Sequence, residues 1–186
     1  MRGFIEEQKA RCADSGGPLR TIPLPSVDAW EYRRVLGNFI SGVTIVTGMH
    51  EDQPVGLACQ SFSALSLDPP LVLFCVAKSS STWPRIEAAG QFAVNVLSDH
   101  QVAVCKQFGR PGPDKFEGVA WQPAGRTGSP IIDGVVGWVE CETEAVIEGG
   151  DHWIVTGRVV DLDAYPRDPL TFFRGSFNQE WREGAY

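Results

Sequence analysis

The sequence lacks a long hydrophobic run, and none of its apolar stretches approaches the ~20 residues that a membrane-spanning helix needs. Residues 1–20 carry charges throughout and have no apolar core of the kind found in secretory signals. We therefore expect a cytoplasmic protein without a membrane partner. Basic residues are in the minority, and the net charge is -7. A negative surface repels a phosphate backbone, so nucleic-acid binding is not expected.

Several common catalytic signatures are also missing. The sequence contains no GxGxxG, no GxxxxGK[ST], no GxSxG and no HExxH. Their absence excludes the usual forms of a Rossmann dinucleotide turn, a phosphate loop, a hydrolase nucleophile elbow and a zinc protease. It does not exclude the corresponding activities in general, since a β-barrel can bind a nucleotide without any of these motifs.

The cysteines and histidines show no metal-binding spacing. The number of cysteines is odd, no pair is spaced CxxC, and four of the five lie in apolar segments. We therefore predict free thiols in a reducing compartment, mostly buried, and no metal site. The residues concerned are Cys12, Cys59, Cys75, Cys105 and Cys141, with His50, His100 and His152.

Short β-type segments dominate what the sequence does contain. Hydrophobic residues make up 43% of the 186 positions, enough for one substantial core. A helix is predicted to begin near residues 26–28, and two more to end at Ala89 and Phe108. The resulting fold class is mainly β with peripheral helices, arranged as a barrel. The predicted strands are residues 43–47, 55–62, 71–77, 91–97, 135–147, 152–162 and 170–173.

The expected organisation is a single domain with two flanking segments. Residues 1–25 are mixed in composition and contain several Gly and Pro, which predicts an N-terminal arm. The domain is expected to span residues 26–176, and residues 177–186 to form a C-terminal tail.

Residues 78–82, Lys-Ser-Ser-Ser-Thr, precede a predicted helix and form a candidate anion site. Hydroxyl groups, a lysine and free helix N–H groups together favour a bound phosphate, and Arg85 adds a charge one turn later. The alternative is a serine-rich helix cap. A cap needs one or two hydroxyls, so the extra ones favour a phosphate site.

Residues 56–66 read as a strand whose later side chains become small and polar. Small side chains would let a flat ring approach the backbone N–H groups. The alternative, an ordinary edge strand, is equally compatible with this composition.

A histidine follows a predicted Gly-Gly hairpin turn at Gly149-Gly150-Asp151-His152. The turn would hold the imidazole at the rim of the barrel, and Asp151 is placed to orient it. The alternative is a solvated turn histidine.

Four stretches, taken in order and spacing, resemble the flavin-reductase-like family with the FMN-binding split-barrel fold. They are residues 32–47, residues 56–71, residues 92–97 followed by Gln101, and Gly150-Asp151-His152. The resemblance covers residues 32–173, most of the chain. It is nearest to the small reductase components of two-component flavin-dependent monooxygenases.

This resemblance implies a homodimeric NAD(P)H-dependent flavin reductase that reduces FAD or FMN and supplies the reduced flavin to an oxygenase. NADH is expected rather than NADPH, because the sequence shows no clear basic cluster for a 2′-phosphate. His152, with Asp151, would meet the nicotinamide as the catalytic pair. The implied flavin-binding residues are Gly42, Val43, Thr44, Ala58, Cys59, Gln60, Ser61, Lys78, Ser79, Ser81, Thr82, Phe108, Lys115 and Phe116.

Two other functions fit the same resemblance. A non-catalytic flavin-binding protein would need no nicotinamide contact, so His152 separates it from a reductase. An oxidase with its own small substrate would need a basic substrate pocket, which the sequence does not reveal. Cys59 and Gln60 stand where relatives often carry Asn or Ser, which leaves the choice between FAD and FMN open.

Overall fold

The computed structural model describes residues 27–112 and 115–178. The predicted N-terminal arm, with Cys12, lies outside the described residues. Only the first two residues of the predicted tail lie within them. The chain divides into a short unit, Met1–Arg33, and a larger one, Arg34–Tyr186, which holds the sheets. In the described ranges, no helix has the length and apolar character needed to cross a membrane.

The helices are short and lie between strands. Helix α1 spans Ala29–Leu36, α2 spans Trp83–Ala89, and α3 spans Val102–Phe108 after a 3-10 turn at Asp99–Gln101. Helix α1 ends at Leu36, because the Asn38 side chain donates to the carbonyl of Arg34 at 2.8 Å and so caps the helix.

Twelve strands form three sheets in the described chain, and the largest has the order β3-β2-β6-β9-β10-β5-β4. All its neighbouring pairs are antiparallel. The predicted fold class, mainly β with peripheral helices, is therefore confirmed. The strands are β1 Ser41–Gly42, β2 Thr44–His50, β3 Gln53–Cys59, β4 Ser63–Leu67, β5 Pro70–Ala77, β6 Gln91–Val96, β7 Trp121–Pro123, β8 Pro130–Ile132, β9 Gly137–Gly149, β10 His152–Ala164, β11 Thr171–Phe173 and β12 Ser176–Phe177.

The predicted strand at 55–62 ends early. Strand β3 ends at Cys59, and after three residues the chain forms β4, which pairs with β5 rather than β2. Strands β7 and β8 were not predicted, because each has only three residues and carries a proline at one end. A capping pair forms before α3, where the Gln101 side chain accepts from the Ser98 N–H at 2.9 Å.

Two apolar clusters lie in the core of the larger unit. One joins β2, β5, β6 and α2 around Phe74 and Phe92, whose rings meet edge to face at 5.3 Å. The other joins α3 and β12 around Phe108 and Phe177. Because Phe177 is only 8% exposed, the packed chain extends into the segment predicted as a tail.

The four described cysteines are free, and three of them are buried. Cys141 is fully buried on β9, and burial together with the neighbouring Glu140 charge raises the pKa of its thiol to about 12. Such a thiol stays neutral and packs as a small hydrophobic group.

A buried amide fastens β8 to the large sheet. Asn95 is fully buried, and its side chain donates to the Thr47 hydroxyl at 3.0 Å and to the Pro130 carbonyl at 3.2 Å. Its Oδ1 accepts from the Ile132 N–H at 2.8 Å. These bonds satisfy polar groups that would be costly to bury unpaired, and so hold the short strand in place.

Candidate functional site

A cleft of about 630 Å³ opens between the carboxyl ends of β3 and β5, the segment before α2, and α3. Its volume lies within the usual range for small-molecule sites. Its wall brings together three parts of the sequence that were predicted to carry function. They are the end of β3, the serine-rich segment and the histidine after the hairpin turn.

The end of β3 and the end of β5 form one wall of the cleft. Ala58, Cys59, Gln60 and Ser61 line it from one side, and Cys75 lines it from the other. The Ser61 hydroxyl accepts from the Cys75 N–H at 2.8 Å and donates to the Cys75 carbonyl at 3.0 Å. These two hydrogen bonds hold the two chain segments together in the wall of the cleft.

Cys59 stays neutral at this wall. Its side chain is 3.2 Å from the Ser61 oxygen, and burial raises the pKa of its thiol. The Thr44 hydroxyl donates to the Cys59 carbonyl at 2.9 Å and so fixes the strand end from behind. The wall therefore carries short, uncharged side chains, which suit a flat, neutral ring.

Phe108 forms the side of the cleft on α3 and is held by a close approach to Gly56. A Cβ atom at Gly56 would stand 2.5 Å and 2.9 Å from two carbons of the Phe108 ring, so only glycine fits beneath it. Phe116 packs edge to face on Phe108 at 4.9 Å but does not line the cleft. It supports Phe108 from behind.

Another part of the cleft lining is rich in hydroxyls and positive charge. Ser79, Ser81 and Thr82 line it, together with Arg110 and Lys115. The Lys115 ammonium donates to the Thr82 hydroxyl at 3.4 Å, and burial lowers the pKa of this lysine. Hydroxyls beside two cations form a surface complementary to an anion.

Ser80 uses its hydroxyl as the helix cap that was the alternative for this segment. Its Oγ accepts from the backbone N–H groups of Thr82 at 3.3 Å and Trp83 at 3.2 Å. One serine thus serves the start of α2, and the neighbouring hydroxyls remain at the cleft.

His152 lies at the rim, directly after the turn between β9 and β10. Gly150 takes a φ of 70° at the first position of this two-residue turn, a conformation that favours glycine. His152 is paired in register with Ala77 of β5, which places it beside the start of the serine-rich segment. Its side chain is 45% exposed and lines the cleft.

Asp151 fixes the protonation pattern of this imidazole. Its Oδ1 is 2.7 Å from Nδ1 of His152, and the same bond lowers the pKa of Asp151. An ionised carboxylate can only accept, so Nδ1 carries the hydrogen and Nε2 of the neutral ring has the free lone pair. The pair can accept a hydrogen bond from a ligand at the rim.

Comparison with known proteins identifies the fold and its family. Residues 36–180 match the family model described as flavin reductase like domain. The chain is 49% identical over 154 residues to the flavin-dependent monooxygenase reductase subunit HsaB of Mycobacterium tuberculosis, covering 81% of this chain and 82% of that protein. This chain belongs to the flavin reductase like family.

Solved structures agree with this membership. A homologue of nitrilotriacetate monooxygenase component B from Mycobacterium thermoresistibile matches at a TM-score of 0.77 and 51% identity, over 80% of this chain and 84% of that one. The NADH:FAD oxidoreductase SgcE6 of Streptomyces globisporus, solved with NAD and FAD fragments, matches at 0.77 and 37%, over 83% and 96%. The resemblance predicted from the sequence is thus confirmed.

Not every residue predicted for the site of this flavin reductase like domain lines the cleft. Thr44 and Phe116 support it from behind, as described above, and Gly42 belongs to β1, which pairs with β11. Asp151 acts through His152. Lys78 does not line the cleft either: its ammonium is ion-paired with Glu148 of β9. The ligand-binding roles of all these residues stay predictions.

Sequence reasoning missed part of the lining. Arg110 lies in a segment rich in Gly and Pro, where no periodic pattern marks which side chains turn inward. Cys75, Val76 and Ala77 fall at the end of the strand predicted at residues 71–77 and also line the cleft. The β-type alternation of β5 gives no signal that its last residues border a cleft, because that depends on which strand faces it.

We expect Lys115→Ala to weaken binding of FMN by about tenfold or more, because a hydrogen bond to a charged group contributes roughly 1.5–3 kcal/mol. Fluorescence titration with FMN measures this change. The affinity for riboflavin, which has no phosphate, should fall much less in the same variant. Arg85→Ala is the matched control, since Arg85 is a nearby cation outside the lining. Unchanged FMN affinity in Lys115→Ala would place the phosphate elsewhere.

Proposed function

We propose that this chain is an NADH-dependent flavin reductase, which reduces FAD or FMN and supplies the reduced flavin to a partner monooxygenase. The observation that carries the proposal is the position of His152. It presents an imidazole, bonded to Asp151, at the rim of a cleft whose lining also holds the hydroxyls and cations that suit a phosphate. The names of the relatives, a monooxygenase reductase subunit and an NADH:FAD oxidoreductase, support the same function.

The residues of the cleft fit a flavin nucleotide. The wall of Ala58, Cys59 and Ser61 carries short neutral side chains, and a flat ring can approach the backbone there. Lys115, beside Thr82, and Arg110 also line the cleft and supply positive charge for a phosphate. The ring and the phosphate would therefore each meet the chemistry that suits them. When bound, the flavin supplies the redox chemistry by accepting a hydride from the reduced nicotinamide.

The part played by the protein in such a reaction is orientation. Hydride transfer requires donor and acceptor in close, aligned contact, and needs no acid or base on the protein. Nε2 of His152 would accept a hydrogen bond from the carboxamide of the nicotinamide and so fix the ring at the rim. Asp151 keeps the imidazole in the tautomer that leaves Nε2 as an acceptor.

The proposed partners are an oxygenase and a second copy of this chain. Large apolar side chains remain exposed on the larger unit, including Phe39 at 81% and Leu67 at 96%. Exposed side chains of this size support a covered surface in the assembled protein. Light scattering of the purified chain should give the mass of a dimer, and a monomer mass would contradict this part of the proposal.

The proposed reaction is tested by mixing the purified protein with NADH alone and with added FAD or FMN, and following the absorbance of NADH. We expect rapid oxidation only when flavin is present. If flavin binds while NADH remains unchanged, the protein is a flavin carrier or sensor rather than a reductase. The same experiment with NADPH, and with each flavin in turn, compares the rates of oxidation and so shows which nicotinamide and which flavin the protein uses best.

We expect His152→Ala to raise the KM for NADH about twofold to tenfold, because one neutral hydrogen bond contributes roughly 0.5–1.5 kcal/mol. The affinity for FMN should be unchanged, since the imidazole lies at the rim. His100→Ala is the control, because His100 is highly exposed and outside the lining. Equal NADH kinetics in wild type and His152→Ala would remove His152 from the mechanism.

A further inference from the structure

Three contacts join Lys78 to the β9–β10 hairpin. Its backbone N–H donates to the Asp151 carbonyl at 3.0 Å. Its ammonium is paired with the Glu148 carboxylate on β9 and lies 4.8 Å from the centre of the Trp153 ring on β10. One residue thus touches the turn and both strands that flank it.

We propose that Lys78 is a positioning residue, which holds the tip of the β9–β10 hairpin so that His152 stays at the rim of the cleft. The proposal rests on the proposed function, in which His152 meets the nicotinamide. It gives Lys78 a role different from the phosphate contact expected from its place beside the serines.

At the hairpin tip, β9 has less support from the sheet than β10 has. Among the described strands, β9 is paired with β6 only from Gly137 to Glu142, whereas it follows β10 as far as Gly149. The outer half of β9 therefore has β10 as its only neighbouring strand in this part of the structure. Glu148 lies in that outer half, and Lys78 reaches it from the far side of β10.

Lys78 also extends the support that β5 gives to β10. The register between these strands ends at His152, opposite Ala77. Lys78 is the next residue after Ala77, and its bond to the Asp151 carbonyl adds one more link beyond the last strand pair. The backbone on both sides of His152 is thereby tied to the end of β5.

The ion pair itself is expected to contribute little to global stability. The Glu148 side chain is 72% exposed, and solvent screens the attraction in exposed pairs of this kind. The proximity of Lys78 lowers the pKa of Glu148, so the pair persists at neutral pH. Removing it should loosen the tip without unfolding the domain, which makes the role testable by kinetics.

The two roles for Lys78 predict different results. A phosphate contact predicts that Lys78→Met weakens FMN binding and that Glu148→Gln does not. A positioning role predicts that both variants raise the KM for NADH and leave FMN affinity unchanged. It also predicts that neither has a further effect once His152 is gone, because residues acting through one another are not additive.

The test measures kcat, the KM for NADH and the affinity for FMN in Lys78→Met, Glu148→Gln and each combined with His152→Ala. We expect a rise in KM of about twofold to tenfold in the single variants, no larger than that of His152→Ala, because each acts by misplacing the same hydrogen-bonding group. Lys78→Arg, which keeps the charge, should retain most of the wild-type KM. The matched control is Arg158→Met, since Arg158 of β10 forms an ion pair with Glu144 of β9 at 2.9 Å and lies outside the cleft lining.

Hydrogen exchange of residues 144–151 on the same proteins gives a readout that does not depend on activity. Faster exchange there in Lys78→Met and Glu148→Gln, with wild-type exchange in the core strands, supports positioning. Unchanged exchange, or a loss of FMN affinity in Lys78→Met alone, overturns it. If the wild type fails to oxidise NADH, the proposed reductase function fails instead, and the exchange data still decide whether Lys78 holds the tip.

Discussion

The antiparallel pairing of β9 with β10 is the interaction on which the rest of the structure depends. It runs from Gly137 opposite Ala164 to Gly149 opposite His152. Strand β9 gives its other edge to β6, and β10 gives its other edge to β5. The hairpin therefore joins the two halves of the large sheet, and both ends of the cleft are positioned relative to it.

The connection made by this hairpin allows the cleft to form, because the sheet curls and brings strands that are far apart in the strand order close together. Strand β3 ends the sheet on one side and β5 lies near the other end, yet Ser61 bonds to Cys75 across the gap. The curl brings the short side chains after β3, the hydroxyls after β5 and the imidazole after β9 to one opening. Loops at the ends of strands supply the polar groups, and the strands hold them rigidly, which is a common division between scaffold and site.

Local patterns in the sequence predicted much of the fold and part of the candidate site. The alternation of β-branched and apolar residues predicted most strands, and the Gly-Gly turn predicted the hairpin that carries His152. The hydroxyl run at 79–82 was found because its members are neighbours in the chain. Short elements such as β7 and the break between β3 and β4 were missed, because their existence depends on distant partners rather than on their own composition.

The sequence alone determined which residue types could serve a nucleotide site: the serines, two lysines and the histidine beside an aspartate. Only the tertiary structure decided which partner each of these side chains reaches. Lys115 meets Thr82 across 33 positions of the chain, while Lys78, adjacent to the serines, turns to Glu148 across 70 positions. The reason is physical: a long charged side chain bonds to the polar or oppositely charged partner that the fold brings within reach, and for Lys78 that depends on the strand register of the whole sheet.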